Sequence, residues 1–405
     1  MSAGAGFRMM AIAFAISMAF TTLPTPLWPL YEQSDGLSTT AVTFAFSAYA
    51  IGVLISLFLG GHLSDWLGRR TILVPAVIAE AVSAVIFMVW HPLAGLLVAR
   101  LLSGLAIGLI TATATASLVD LHSRSGDPHP QRADQVSTAA NLGGLGLGPI
   151  ISGMLARWLP APLITGYAIF LGLLIVAVIL VLLTPETVEI HRRPYRPQRV
   201  SVPPQARNRY LLLGLTGFIS FSLFGLFSSL SSKILQSALG VSSPVISGLV
   251  SGLVFLLAVA AQLLSGALSD HHQVDVGLAA LALGFVLLLI SGLGSWFVPF
   301  LAGAVFGGIG SGLAFRGAMA GARELADAAV RGEVIAGIFL AAYLGLVIPI
   351  VGLGIATQAI SLEAGLAAFS AVLLLILVLT AIALRLTGRR GDHQPSQPNQ
   401  PNQPM

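Results

Sequence analysis

A few side chains in this chain have both the type and the setting for chemistry. Glu80 is a carboxylate deep inside the apolar run VPAVIAEAVSAVIF, and Arg100 and Arg316 are guanidinium groups within apolar runs of their own. Ionisable groups in such surroundings pair, face a wet cavity or carry ions. For Glu80 two readings are open. It is a carrier that loads a proton on one side of a membrane and releases it on the other, or a permanently neutral acid hydrogen-bonded between helices. Arg100 faces a partner or a wet cavity, or it snorkels to the headgroups. Arg316 binds an anionic substrate group or merely anchors its helix.

Enzyme chemistry finds no footing. Neither a GxGxxG nor a Walker loop is present, so ATP is not the expected energy source. The histidines sit mostly in connectors, with His271-His272 lacking metal-ligand company and His91 at the edge of a run. No cysteine occurs, which excludes disulfides, thiolate metal sites and a cysteine nucleophile. No metal and no cofactor are expected.

The elements that must hold these residues follow from composition. Of 405 residues, 56% are hydrophobic and only 9% charged, with a mean hydropathy of +0.91. A soluble domain has roughly 45–50% apolar and about 25% charged residues, so a water-soluble surface cannot be built here. The composition specifies a polytopic membrane protein whose first partner is the lipid bilayer. The net charge of +4 invites a nucleic-acid reading, but much of it sits in connectors between apolar runs, which suits membrane topology instead. Arg8 followed by the apolar stretch Met9 to Phe20 resembles a signal peptide. With no small-x-small cleavage site after it, it reads as an uncleaved first span.

At roughly 20 apolar residues per crossing, twelve spans are expected at about 9–30, 41–62, 71–91, 95–120, 136–158, 163–184, 209–234, 243–266, 276–295, 297–321, 334–358 and 363–386. The runs do not alternate as barrel strands do, so the fold class is all-α. Sixteen of the 20 basic residues fall on the side of both termini, which the positive-inside rule makes cytoplasmic. Trp28, Trp90, Trp158 and Trp296 fall near the opposite ends, as an interfacial aromatic belt would.

The Arg- and Pro-rich connector 185–208 divides the chain into a six-helix bundle over 1–184 and another over 209–387. A low-complexity tail at 388–405 is expected to be disordered. An internal repeat supports the division. GHLSD, ending in Asp65, and GALSD, ending in Asp270, are 205 residues apart; Gly104 and Gly108 precede Gly308 and Gly312 by 204; Pro149 precedes Pro349 by 200. Two related halves with a site between them near the midplane is a transporter arrangement.

GGHLSDWLGRRTIL (60–73), between spans two and three, resembles the signature loop of the major facilitator superfamily, with Gly61, Leu63, Asp65, Gly68, Arg69 and Arg70 on pattern positions. On physical grounds Gly61 permits close helix approach, Gly68 a tight turn, and Asp65 can pair with Arg69 four residues on if the turn stays helical. Asp65 can equally cap a helix N-terminus in the other half. The resemblance implies a latch that holds the halves together in the outward-facing state, joined by Asp120 and, in the second copy, by Asp270. That copy lacks the Gly-Arg-Arg, so a symmetric latch is not expected. Gly144-x-x-x-Gly148-Pro149-x-x-Ser152-Gly153 is similar to the family's antiporter signature, with Ser152 in place of a glycine. Arg100-Leu101-Leu102-Ser103-Gly104 resembles the pattern whose Arg is implicated in proton coupling in related exporters.

The resemblance therefore implies two rocking six-helix bundles that drive a small organic molecule or drug out of the cell across a bacterial-type inner (plasma) membrane. Protons would be the coupling ion, both termini would be cytoplasmic and the protein a monomer. Candidates to line the cavity are Trp28, Tyr31, Asn141, Gln262, Arg316 and Tyr343. An uptake symporter for a sugar or organic acid is the alternative within the class. A non-transporting sensor or scaffold is the alternative outside it, and would need an output element beyond the short linker and tail.

Overall fold

The computed structural model describes residues 2–129, 131–190, 195, 197–202, 206–267, 269–327 and 330–391. The expected tail lies largely outside them, as do residues 191–194, 196 and 203–205 of the connector. Among the described residues there is no strand. Twelve helices are long and apolar enough to cross a membrane: α1 Ala3–Asp35, α2 Thr39–Gly60, α3 Arg69–Val89, α4 Leu93–Ser125, α5 Arg132–Trp158, α6 Pro162–Leu183, α7 Arg207–Ser229, α8 Pro244–Leu264, α9 His272–Gly294, α10 Phe297–Glu324, α11 Arg331–Ala356 and α12 Leu362–Thr387. The first is longer than its apolar run suggests. Its prolines tighten the backbone into a 3-10 turn at Thr25–Leu27, after which helix resumes over Trp28–Asp35 and ends on the left-handed Gly36.

The helices form two six-helix bundles with matching internal packing. In the first, α4 packs on α1, α2 and α3, α1 on α5 and α6, and α3 on α6; in the second, α10 packs on α7, α8 and α9, α7 on α11 and α12, and α9 on α12. Adding six to each helix number carries one set onto the other. The glycine repeat has a steric cause. A Cβ on Gly104 would lie 2.0 Å from the Tyr49 carbonyl oxygen of α2, and one on Gly308 would lie 2.6 Å from the Val254 carbonyl oxygen of α8. Helices this close cannot carry a side chain between them. The contacts between halves obey the same symmetry, α5 with α8 and α11 with α2.

On the outside, α6 and α12 expose Ile175, Ile179 and Leu182, and Val372, Leu375 and Leu379, each about half accessible or more. Helical spacing gathers them into stripes. Apolar stripes on the perimeter around a buried polar middle are what hydrocarbon solvent requires.

Candidate functional site

Where the bundles meet, they enclose a cavity of about 220 Å3. The first bundle contributes Thr21, Thr22 and Thr25 of α1, Phe46 and Tyr49 of α2, Arg100 of α4 and Asn141 of α5. The second contributes chiefly aromatic walls. Phe224 and Phe255 stack at 4.9 Å, and Phe221 packs on Phe315 at 4.8 Å and on Tyr343 at 5.6 Å. Among the described residues no carboxylate lines the space.

Two faces of the molecule differ. At the face away from the termini the halves are sealed by hydrogen bonds. Thr25 Oγ1 donates to the Ser228 carbonyl at 3.0 Å, Ser232 Oγ donates to the Thr25 carbonyl at 2.9 Å, and Thr40 Oγ1 donates to the Gly354 carbonyl at 2.7 Å. Gln358 Nε2 donates to Thr40 Oγ1 at 3.1 Å. Glu32 and Lys233 form an ion pair across the same seam, with the Glu32 side chain only 7% exposed. Among the described residues, the direct hydrogen bonds between the halves lie at this face. At the other, basic face a cleft of about 260 Å3 separates Leu57, His62 and Asp65 from Gly332 and Ile335 of α11. Phe339 lines both the cleft and the central cavity. Interhelical hydrogen bonds in membranes average about 0.6 kcal/mol and reach about 1.7, so these bonds add a few kcal/mol to the packing of α5 on α8 and of α11 on α2.

The signature loop forms one cluster at the basic face. Arg69 Nη1 reaches Asp65 Oδ1 at 2.6 Å and Ser64 Oγ at 2.8 Å, and its Nε reaches Asp120 Oδ2 at 3.1 Å. Gly68 sits at φ +96°, open to glycine but strained for other residues, and it carries no side chain to cap α3. Glu186 supplies the cap from the connector, accepting from the Arg69 and Arg70 backbone N–H groups at 3.0 Å each. Arg70 Nε donates to the Thr184 carbonyl, and Thr187 Oγ1 donates to Asp120. Gly61 lines the cleft, but its nearest neighbours belong to Leu57 of its own helix; it is Gly60 that approaches another helix, at Leu109. In this conformer Asp65, 63% exposed at its side chain, faces α11 across the cleft without spanning it. The side chain of Asp270 lies outside the described residues.

The Glu186 cap was not legible beforehand, since it joins residues 117 apart. Partial burial alone would raise its carboxyl, but four backbone N–H donors outweigh that and hold it below the ordinary carboxylate range. A depressed folded value means the cap stabilises fully above that range and loses its contribution as pH falls through it. Glu186→Ala should remove about 1 kcal/mol, a typical cap contribution. It should also flatten the acid limb of stability. Thermal unfolding in detergent from neutral pH down to pH 4 checks this; parallel curves for the two proteins would refute it.

Within the membrane region the structure separates the two ionisable candidates of the first bundle. Arg100 is 2% exposed and borders the cavity. Its guanidinium lies 5.2 Å from the Trp28 ring centroid, 5.4 Å from Tyr49 and 5.9 Å from Phe46, and its Nη1 donates to the Thr21 carbonyl at 2.8 Å. It does not snorkel. Three cation–π contacts of about 0.5–2 kcal/mol each are comparable to the roughly 2.5–3.5 kcal/mol cost of an intramembrane Arg. Glu80 is fully buried, and neither carboxyl oxygen has a hydrogen-bond partner. Ser17 of α1 lies within interaction range and Tyr49 within electrostatic reach. An unpaired buried carboxylate costs several kcal/mol, so this packing accepts the neutral acid.

Of the six cavity candidates, Asn141, Gln262 and Tyr343 line the space. Trp28 and Tyr31 do not. Both are buried behind Arg100, Tyr31 bonding Tyr167 Oη at 3.2 Å, so Trp28 belongs to no interfacial belt. Arg316 also stays out of the cavity, its Nη1 donating to the Gln262 carbonyl and to Ser265 Oγ, which ties α10 to the end of α8. The glycines of α5 split between two partners: Cβ atoms on Gly144 and Gly148 would meet α1, and one on Gly153 would meet α8. Pro149 lends its carbonyl to the α8 contact, 2.2 Å from where a Gly248 Cβ would stand.

Two quasi-equivalent bundles around a shared cavity, sealed at one face, define a membrane solute carrier. The sequence matches the family model described as Major Facilitator Superfamily over residues 10–275. The chain belongs to that superfamily and is a transport protein, not an enzyme. It is 29% identical over 138 residues to the quinolone resistance protein NorA of Staphylococcus aureus, a match covering 33% of this chain and 34% of NorA. It is 26% identical over 231 residues to the uncharacterized MFS-type transporter YceJ of Bacillus subtilis (strain 168), covering 55% of this chain and 58% of YceJ. The chain thus matches about a third of NorA and somewhat over half of YceJ. Among solved structures, a peptide transporter POT in complex with sulfate superposes with a TM-score of 0.78 at 16% identity, over 96% of this chain and 95% of that one. That likeness is one of fold.

Proposed function

We propose that this protein is a proton-driven exporter of a small organic molecule, working by rocking of the bundles 1–184 and 209–387 about their shared cavity. The observation that carries the reading is the cavity itself, built from both halves and closed by direct bonds between them at one face, whereas at the other, among the described residues, the connector alone bridges a cleft. The basic face is cytoplasmic by the Arg count, with both termini on that side of an inner (plasma) membrane, and the monomer is the working unit. This conformer is then open inward. The cluster of Asp65, Arg69, Arg70 and Asp120 closes across the cleft onto α11 in the opposite, outward-facing state. Glu80 carries the proton, and the conformer described is the loaded one. The outward direction is supported by the partial match to a quinolone resistance protein and by the Gly-Pro pattern of α5. One charge moving through 100 mV supplies about 2.3 kcal/mol, the same order as the hydrogen bonds across the seam.

Everted vesicles test the direction. Export predicts uptake into the inverted lumen that depends on the proton gradient. Accumulation only in right-side-out vesicles would make the protein an uptake symporter, and binding without flux in either would make it a sensor.

A further inference from the structure

We propose that the central cavity selects small flat aromatic monoanions, with Arg100 as the charge-reading residue; this rests on the cavity's being the transport site. The first observation is the balance of charge. Among the described residues Arg100 is the only charged one that borders the cavity, so they give the site a formal charge of +1 with no carboxylate to offset it. Among the described residues no ion pair involves Arg100. Its Nη1 is taken by the Thr21 carbonyl, and its Nε is buried without a partner. A guanidinium has five N–H donors, so part of this donor set stays unused. Ring faces and a carbonyl compensate a cation without neutralising it. An anion entering the cavity would supply the charge-assisted hydrogen bonds that are missing. An organic cation would meet like charge in a low-dielectric space, where repulsion is poorly screened.

The second observation is shape. Opposite Arg100 the second bundle presents the stacked pair Phe224 and Phe255 and the cluster of Phe221, Phe315 and Tyr343. Such walls favour a planar ring system in offset or edge-on contact. At about 220 Å3 the space is below the roughly 300–1,000 Å3 of drug-sized pockets, which points to one or two rings. A cation on one wall and rings on the other fix the ligand's orientation, carboxylate toward α4 and ring toward α7 and α8.

Three isosteric probes separate charge from shape: 2-naphthoate, 2-naphthamide and 2-naphthylmethylammonium, titrated calorimetrically into the detergent-purified full-length protein. The expected order places naphthoate at least tenfold tighter than the ammonium, with the amide between. Arg100→Gln should bring naphthoate down to the amide's affinity, and continued binding of the amide reports an intact cavity. Arg100→Lys should keep part of the preference. An ammonium that binds as tightly as naphthoate, or a naphthoate preference that survives Arg100→Gln, overturns the assignment. If none of the three binds while vesicle flux of another solute persists, the substrate class is wrong and the transport reading stands; loss of both would reject the site itself.

Discussion

Gly248→Leu is expected to break the seal at the face away from the termini and to lower transport at least tenfold without unfolding the protein. A Cβ at this position would stand 2.2 Å from the Pro149 carbonyl oxygen and 3.3 Å from the Gly153 Cα, both on α5 of the other half. Neither is a flexible tip that can swing away. The helices must part, and overpacking of this kind costs about 1–3 kcal/mol. On the proposed rocking motion the cost falls on one conformer alone, because the outward-facing one parts α5 from α8 at this end. Each 1.4 kcal/mol shifts a population tenfold, so the variant should rest with its sealed face open. The chain has no cysteine, so Ser228→Cys provides a single reporter beneath the seal, read by a membrane-impermeant maleimide. Labelling should rise sharply in Gly248→Leu. Gly143→Leu, on α5 with nothing within 4 Å of its Cβ, is the control that should change nothing. Equal labelling in all three backgrounds would show that α5 and α8 do not form the moving contact.

The second large effect is expected at Glu80. Glu80→Gln keeps the shape of a neutral side chain in a site whose packing already accepts the neutral form, so folding and binding should survive. What it cannot do is release a proton. Flux driven by a pH gradient should fall at least a hundredfold, while exchange of labelled for unlabelled solute without a gradient continues. Full retention of gradient-driven flux would return Glu80 to a packing role between α1 and α3 and leave coupling to another group.

Much of this architecture was legible in the sequence because hydrocarbon is a simple solvent. A crossing needs a fixed length of apolar residues, so twelve helices could be placed with only their ends in error. The Gly104 and Gly308 repeat was legible because each glycine answers to a backbone one helix away. What escaped was whatever depends on residues far apart in the chain. Nothing near Glu32 marks Lys233 as its partner, 201 residues on. Trp28 looked interfacial because it lies near the outer end of the first apolar run; the turn there instead aims it inward onto Arg100. For Arg316 an anion-binding and a helix-anchoring role stood side by side, and the carbonyl at the end of α8 that takes its donor lies 54 residues away in the chain. The aromatic wall of the cavity left no mark either, since phenylalanines at helical spacing look the same whether they face lipid, core or cavity.

The most direct test of alternating access uses a close approach between side-chain positions across the seal. A Cβ on Gly354 would lie 2.9 Å from the Thr43 Cβ, a little inside the roughly 3.5–4.5 Å that a disulfide spans, so Thr43→Cys with Gly354→Cys should cross-link on oxidation in an otherwise cysteine-free chain. Transport in reconstituted vesicles should stop when the bond forms and return when it is reduced. Complete cross-linking with transport undiminished would mean that the two halves do not part at this face, and the rocking mechanism would be wrong.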